Sequence, residues 1–175
     1  MTEIEVKIRV ESAAATRDKL LKLGAVLDHD RALETNTLYD FRDRTLTAGR
    51  RALRLRTYGR KCFLTFKGEP QSSRRFKVRD EYEAEVKNEK QARKILQALG
   101  LQPIFRYEKH RTVFRRDRLK ICLDETSLGA FLELEGERSR IIRAVELLGV
   151  DKSELIKLDY VELYQLAGQG PASGA

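Results

Sequence analysis

The sequence predicts an α+β protein built on a closed, eight-stranded antiparallel β-barrel, a tunnel with a charged interior and helices packed outside. Three observations carry this expectation. Short segments along most of the chain alternate between apolar and charged residues, the period of a strand with two unlike faces. Only three segments read as helices, so most strand connections are turns and the pairing is antiparallel. Those helices can cover apolar sheet surface, which leaves the charged faces to turn inward.

The first strand, Glu3-Ile4-Glu5-Val6-Lys7-Ile8-Arg9-Val10, sets the pattern. Ile4, Val6, Ile8 and Val10 share one face; Glu3, Glu5, Lys7 and Arg9 share the other. Ser12 is placed to cap a helix running to Leu23-Gly24. Asn36–Asp40 is a strand. Leu53 and Leu55 then oppose Arg54 and Arg56, and Leu64 and Phe66 oppose Thr65 and Lys67. Gly68 to Arg75 is a turn-rich loop, expected to be mobile. Val78, Tyr82 and Ala84 oppose Arg79, Glu81, Glu83 and Glu85. Asn88 caps a second helix ending at Leu99-Gly100. Lys109 and Arg111 share a face, as do Lys120, Cys122 and Asp124. Glu133 and Glu135 oppose Leu132 and Leu134, before a third helix from Arg138 to Leu148-Gly149. Ser and Asn accept hydrogen bonds from the first helical amides, and glycine after the last leucine suits a left-handed terminus. The expected domain is 1–167. Residues 168–175, small and rich in Gly, Pro and Ser, are expected to be a disordered tail.

A length of 175 residues fits one domain with a real core. Charged residues make up 35% of the chain and the net charge is +8, which points to an anionic partner. The excess is scattered among carboxylates rather than gathered in a basic tail. Cys62 and Cys122 make no disulfide framework and fit a reducing compartment. Charges begin at Glu3 and no apolar run reaches membrane-span length, so a signal peptide is not expected and the expected location is cytoplasmic. His29 and His110 lack metal-ligand spacing and read as ordinary surface or strand residues.

An ion-lined interior is costly unless its charges balance or bind something. Arginine offers paired donors to phosphate oxygens, and lysine offers a compact charge. Clustered carboxylates suit hard divalent ions, which bridge to phosphates. The chain has no Gly-rich phosphate loop, so side-chain cations must hold any phosphate.

These residues resemble the CYTH family of triphosphate tunnel metalloenzymes, which includes class IV adenylate cyclases, thiamine triphosphatases and inorganic triphosphatases. Glu3-Ile4-Glu5-Val6-Lys7 matches the family's Glu-x-Glu-x-Lys opening. Ordered partners follow: Asn36-Thr-Leu-Tyr-Asp40, Ala52-Leu-Arg-Leu-Arg56, Leu64-Thr-Phe-Lys-Gly68, Arg79-Asp-Glu-Tyr-Glu83, Glu108-Lys-His-Arg111, Leu123-Asp124 and Leu128-Gly-Ala-Phe-Leu-Glu-Leu-Glu135. The resemblance implies that Glu3, Glu5, Asp124, Glu133 and Glu135 hold a metal, Mg²⁺ or Mn²⁺. It implies a phosphate grip of Lys7, Arg9, Arg54, Arg56, Lys67, Lys109 and Arg111, with Arg79, Glu81 and Glu83 supporting. Lys7 and Glu5 are the residues assigned to proton transfer, and the choice between them stays open. Tyr160 falls where the family closes its tunnel.

The leading expectation is metal-dependent hydrolysis of an inorganic, nucleoside or other organic triphosphate. The second is cyclisation of ATP to cyclic AMP and pyrophosphate, which needs a purine pocket that the sequence does not reveal. The third is a noncatalytic RNA- or polyanion-binding protein, favoured by Arg115-Arg-Asp-Arg118 and opposed by carboxylates on the basic faces. The expected partner is a triphosphate-bearing small molecule. No membrane partner is expected, nucleic acid is disfavoured, and a homodimer is left open.

Overall fold

Strand β1 (Thr2–Val10) pairs with two strands distant in sequence, and that closes the sheet. In this computed structural model, which describes residues 2–169, all eight strands join edge to edge in the order β1-β5-β4-β3-β2-β6-β7-β8. Every pairing is antiparallel. The strands after β1 are β2 (Val26–Phe41), β3 (Ala52–Tyr58), β4 (Lys61–Lys67) and β5 (Lys77–Glu85). They continue with β6 (Leu101–Arg116), β7 (Leu119–Thr126) and β8 (Gly129–Glu135). Closure gives every strand two neighbours, which limits the exposed edge to the strand ends.

The helices are α1 (Ala13–Lys22), α2 (Thr45–Ala48), α3 (Glu89–Ala98), α4 (Arg138–Leu147) and α5 (Tyr160–Leu166). The expected caps form: Ser12 accepts from the Ala15 amide and Asn88 from the Gln91 amide. Gly24, Gly100 and Gly149 follow α1, α3 and α4 with φ of +83°, +85° and +67°, where a side chain would be strained. The short α2 and α5 were not expected as helices. Asp40 builds α2, accepting from the amides of Leu46 and Thr47 and from the Thr47 hydroxyl.

The apolar core lies between barrel and helices. Val6, Ile8, Phe114, Ile121, Leu132 and Leu134 point outward and are covered by Leu20 of α1 and by Ile141 and Val145 of α4. On the other side Leu55 and Tyr39 pack under Leu46 of α2 and under Ala92 and Leu96 of α3. The charged strand faces are therefore enclosed, and Lys7, Lys109, Arg111, Asp124 and Glu133 are all buried.

β2 is longer than the Asn36–Asp40 segment that its sequence suggests. Its first half carries Asp28, His29, Asp30 and Arg31, is exposed, and pairs with β6 through register shifts at Leu27/His29 and His29/Ala32. Bulges of this kind break strict alternation, so periodicity alone misses the segment. The 68–75 loop connects β4 and β5 as expected. From residue 170 onward the expected tail lies outside the described residues.

Pairing between β5 and β1 stops at Glu5. Beyond it Ile156 takes over the β1 edge, exchanging both backbone hydrogen bonds with Lys7 at 2.8 and 2.9 Å. That bridge delivers Tyr160 and α5 across one barrel mouth.

Candidate functional site: an ionic chamber inside the barrel

Inward positions on β1, β3, β4, β5, β6 and β8 meet in one chamber. It is lined by Glu3, Glu5, Lys7, Arg54, Arg56, Lys67, Arg79, Glu81, Glu83, Lys109, Arg111, Glu133 and Glu135. The chamber leaves about 90 Å³ of free space, because its cations and carboxylates are drawn onto one another. The Lys7 ammonium lies 3.0 Å from both Glu5 and Glu133. Glu133 also takes Arg111 at 3.0 Å. Lys67 bridges Glu3 at 2.6 Å and Glu81 at 2.8 Å. Arg56 donates to both oxygens of Glu83 at 3.0 and 3.1 Å. Lys120 holds Glu135 at 2.7 Å.

The protonation states follow from these partners. Burial alone would discharge the Lys7 ammonium, but Glu133 and Glu5 outweigh it and raise its pKa above the ordinary lysine value. In this arrangement Lys7 is a charged ammonium held between two carboxylates. For Glu5, burial is outweighed by the Lys7 ammonium, which holds the carboxyl below its usual range. Glu3 goes the other way: burial first, then the neighbouring Glu5, pushes its pKa up to about 8.

Arg9 and Asp124 are placed differently from the other expected site residues. Arg9 lies outside the chamber lining, is exposed, donates to the Leu128 carbonyl at 2.8 Å and covers the Phe131 ring. Its place at the end of β1 puts it past the enclosed part of the barrel. Asp124 is wholly buried and already accepts hydrogen bonds from Arg111 Nε and Nη2, Lys109 Nζ and Tyr160 Oη. In this arrangement Asp124 organises cations, with three donors on Oδ2 and one on Oδ1.

Three residues that sequence reasoning did not single out belong to the same constellation. Glu34 is fully buried between Lys109 at 3.3 Å and Arg56 at 3.4 Å. Extending the Asn36 alternation two residues upstream would have found it. Tyr107 lines the chamber beside Arg54 and Lys109. Lys77 reaches Asp159, just before α5, at 2.7 Å. Tyr160 itself packs tilted against Tyr107 and edge-on to Phe131, and the Lys7 and Lys109 ammoniums lie over its ring.

Several donors in the chamber lack acceptors. The buried Nε groups of Arg54, Arg56 and Arg79 make no hydrogen bond. Arg54 also makes no ion pair among the described residues, although Glu34, Glu81 and Glu83 lie near enough to act on its charge. Buried guanidinium donors without partners are costly, and a polyanion would satisfy them. The carboxylates Glu3, Glu5, Glu133 and Glu135 offer oxygen alone, the donor set of a hard divalent ion. Their chemistry fits such a metal. As they stand, each is turned toward a cation, and no three acidic, His or Cys side chains among the described residues converge as a ligand set.

Fold and site together define a class: closed antiparallel barrels with an apolar shell outside and an ionic chamber within. The sequence matches the CYTH domain over residues 1–161, and the chain belongs to that family. A Vibrio parahaemolyticus protein provisionally called an adenylate cyclase has the same fold. It superposes at TM-score 0.84 with 21% identity over 94% of this chain and 98% of that one. A Pyrococcus horikoshii protein superposes at 0.74 with 26% identity over 94% and 99% of the two chains. A Hippeastrum protein, provisionally called an adenylyl cyclase and described as having a dominant triphosphatase activity, superposes at 0.70 with 18% identity over 98% and 97%. No curated protein matches the chain in sequence. No helix among the described residues is long and apolar enough to cross a membrane.

Proposed function

We propose that this protein is a divalent-metal-dependent triphosphatase that binds an inorganic, nucleoside or other organic triphosphate inside the barrel. One observation carries the reading: the buried Nε donors of Arg54, Arg56 and Arg79 have no acceptor, and these arginines line a buried chamber that also presents a row of carboxylates. Cations alone would suit any polyanion. Cations interleaved with Glu3, Glu5, Glu133 and Glu135 suit a polyphosphate that arrives with a metal.

In this reading Arg54, Arg56, Lys67, Lys109 and Arg111 hold phosphate oxygens, exchanging carboxylate partners for phosphate. Glu3, Glu133 and Asp124, so released, join Glu5 and Glu135 as the carboxylates that would hold Mg²⁺ or Mn²⁺. The divalent ion supplies charge neutralisation along the phosphate chain. Lys7 keeps its proton and acts as a positioned positive charge. Glu5, ionised and close to Lys7, is the group able to accept a proton from the attacking water. Phosphoryl transfer depends on such positioning and charge stabilisation more than on covalent chemistry.

The test is product identification after incubation with tripolyphosphate or ATP and Mg²⁺ or Mn²⁺. Release of orthophosphate is expected, and EDTA should abolish it. Cyclic AMP with pyrophosphate from ATP would replace this reading with the cyclase one. Tight triphosphate binding without turnover under any metal would leave a polyanion-binding protein.

A further inference from the structure

Helix α4 carries two stripes, and the barrel uses one. Ile141 and Val145 are buried against the sheet. Arg140, Arg143, Ala144 and Leu147 recur at the spacing of a second helical face. With Arg116 and Leu119 of the β6–β7 hairpin they wall an open groove of about 510 Å³ on the outside of the molecule. No residue of this groove lines the ionic chamber. Leu147 is 42% exposed, although an apolar side chain gains by being covered.

The hairpin is fixed against this helix. Its turn residues, Asp117 and Arg118, both take left-handed backbone angles, with φ of +49° and +60°, where asparagine and glycine are the usual occupants. Arg140 holds the turn by donating to the Asp117 carbonyl. Gly136, just before α4, has φ of +155°, and a Cβ there would lie 3.0 Å from Leu119. An arginine kept in a strained turn beside a groove is a placed charge.

The groove's charges do not balance. Glu137 is taken up by Arg140 at 3.1 Å, and Asp117 meets Arg116 at 3.5 Å. Arg115, from the same Arg115-Arg-Asp-Arg118 run, is drawn to Asp28 at 2.8 Å. Arg118 and Arg143 are exposed and make no ion pair among the described residues. Arg118 lies near enough to Glu137 to act on its charge, so it belongs to the same corner. The free guanidinium groups call for an anion, and the floor decides which kind. A nucleic-acid backbone has no apolar side chain to cover Ala144 and Leu147. Among the described residues no aromatic ring lines the groove for a base to stack on. A peptide that spaces carboxylates around leucine meets both demands.

We propose that the groove between α4 and the β6–β7 hairpin docks an acidic, leucine-bearing segment of a partner protein. Arg118 and Arg143 take its carboxylates through their forked donors. The apolar side chain seats on Ala144 and Leu147. The surface is separate from the chamber, so the inference does not rest on the triphosphate reading.

The experiment uses a short fluorescein-labelled peptide of Glu-Asp pairs separated by single leucines. Its binding to the full chain is followed by fluorescence anisotropy at low ionic strength, where exposed charges are least screened. The double variant Arg118→Glu, Arg143→Glu should bind about tenfold more weakly, a few-fold for each exposed pair lost with like-charge repulsion added. Both side chains are exposed, so its melting temperature should match wild type. A second readout needs no variant: the same peptide with glycine in place of leucine should bind about tenfold more weakly, because the apolar contact is gone. No peptide binding, or binding unchanged in the double variant, would overturn the proposal. Equal affinity for the leucine and glycine peptides would also overturn it, leaving a patch that attracts any polyanion. So would an RNA duplex that binds more tightly than the peptide at the same salt and is released by the two reversals, since the groove would then be a nucleic-acid surface.

Discussion

Arg54 and Arg111 both present guanidinium groups to the chamber, yet they should respond differently to truncation. Arg54 has no protein partner among the described residues and an Nε without an acceptor. Arg54→Ala removes a donor set that waits for ligand. Stability should hold or rise, while triphosphate affinity falls about 10- to 100-fold, the scale of a hydrogen bond to a charged group. Arg111 is bound to both oxygens of Asp124 at 2.6 Å and to Glu133 at 3.0 Å. Arg111→Ala takes a buried cation from Asp124 and Glu133, which keep Lys109 and Lys7, and should cost folding free energy at the lower end of about 3–5 kcal/mol. Denaturant melts of both variants check this, and equal destabilisation would refute it. Glu133→Gln keeps shape but takes a negative charge from between Lys7 and Arg111. It should abolish metal-dependent turnover and tighten metal-free tripolyphosphate binding, since repulsion of the ligand drops; calorimetry in EDTA reads the second effect. At this scale the sequence was informative wherever alternation was strict, as at Glu3, Glu5, Lys7, Arg54, Arg56 and Glu133. It is silent on how far along the tunnel Arg9 sits and on how many donors Asp124 meets, because facing inward fixes neither.

At the scale of elements, α5 is tied down by one residue. Asp159 caps the helix by accepting from the Glu162 amide and meets the buried Lys77 ammonium at 2.7 Å. Burial would raise its pKa, but Lys77 and the Glu162 amide prevail and hold it at about 2. A carboxyl depressed on folding contributes stability above its unfolded pKa of about 3.9, and that contribution is lost as pH falls toward 2. The wild-type melting temperature should therefore drop between pH 4 and pH 2. Asp159→Asn keeps a side chain able to cap the helix but loses the ion pair with Lys77, so it should melt lower than wild type at pH 7, and the gap should close near pH 2. A gap independent of pH would show that the ion pair contributes nothing. The elements that sequence reasoning placed, α1, α3 and α4, carry a cap, an apolar stripe or a terminal glycine in plain view. α2 and α5 are too short for periodicity to register. They exist because distant groups, Asp40 and the Lys77–Asp159 pair, satisfy their ends. The first half of β2 was hidden by its bulges and its run of polar residues.

At the scale of the whole molecule, the barrel inverts the usual arrangement: its apolar core is outside the sheet and its charges are inside. Such an interior is tolerable only because nearly every ion has a counter-ion, as Lys7 has Glu5 and Glu133, and Lys67 has Glu3 and Glu81. The closed topology was legible because alternation with charged faces on most strands leaves no other way to hide both surfaces beneath three amphipathic helices. The collapsed ion pairing was not legible, since pairing partners depend on register and barrel shear. A triphosphate with its metal should replace these pairs, satisfying the guanidinium groups of Arg54, Arg56 and Arg79 while the metal takes the released glutamates. A ligand that binds only the folded state adds about 2.7 kcal/mol at 100 times its dissociation constant. For a chain of this size that corresponds to a rise of about 5–10 °C in melting temperature. The rise should be largest for tripolyphosphate with Mg²⁺ or Mn²⁺, smaller for pyrophosphate and near zero for orthophosphate, because shorter anions cannot reach cations on several strands at once. Arg54→Ala should shrink it without lowering the unliganded melting point. Equal shifts for all three phosphates would show a surface polyanion effect instead of binding in the chamber, and no shift at millimolar tripolyphosphate with metal would leave the buried arginines unexplained by any triphosphate.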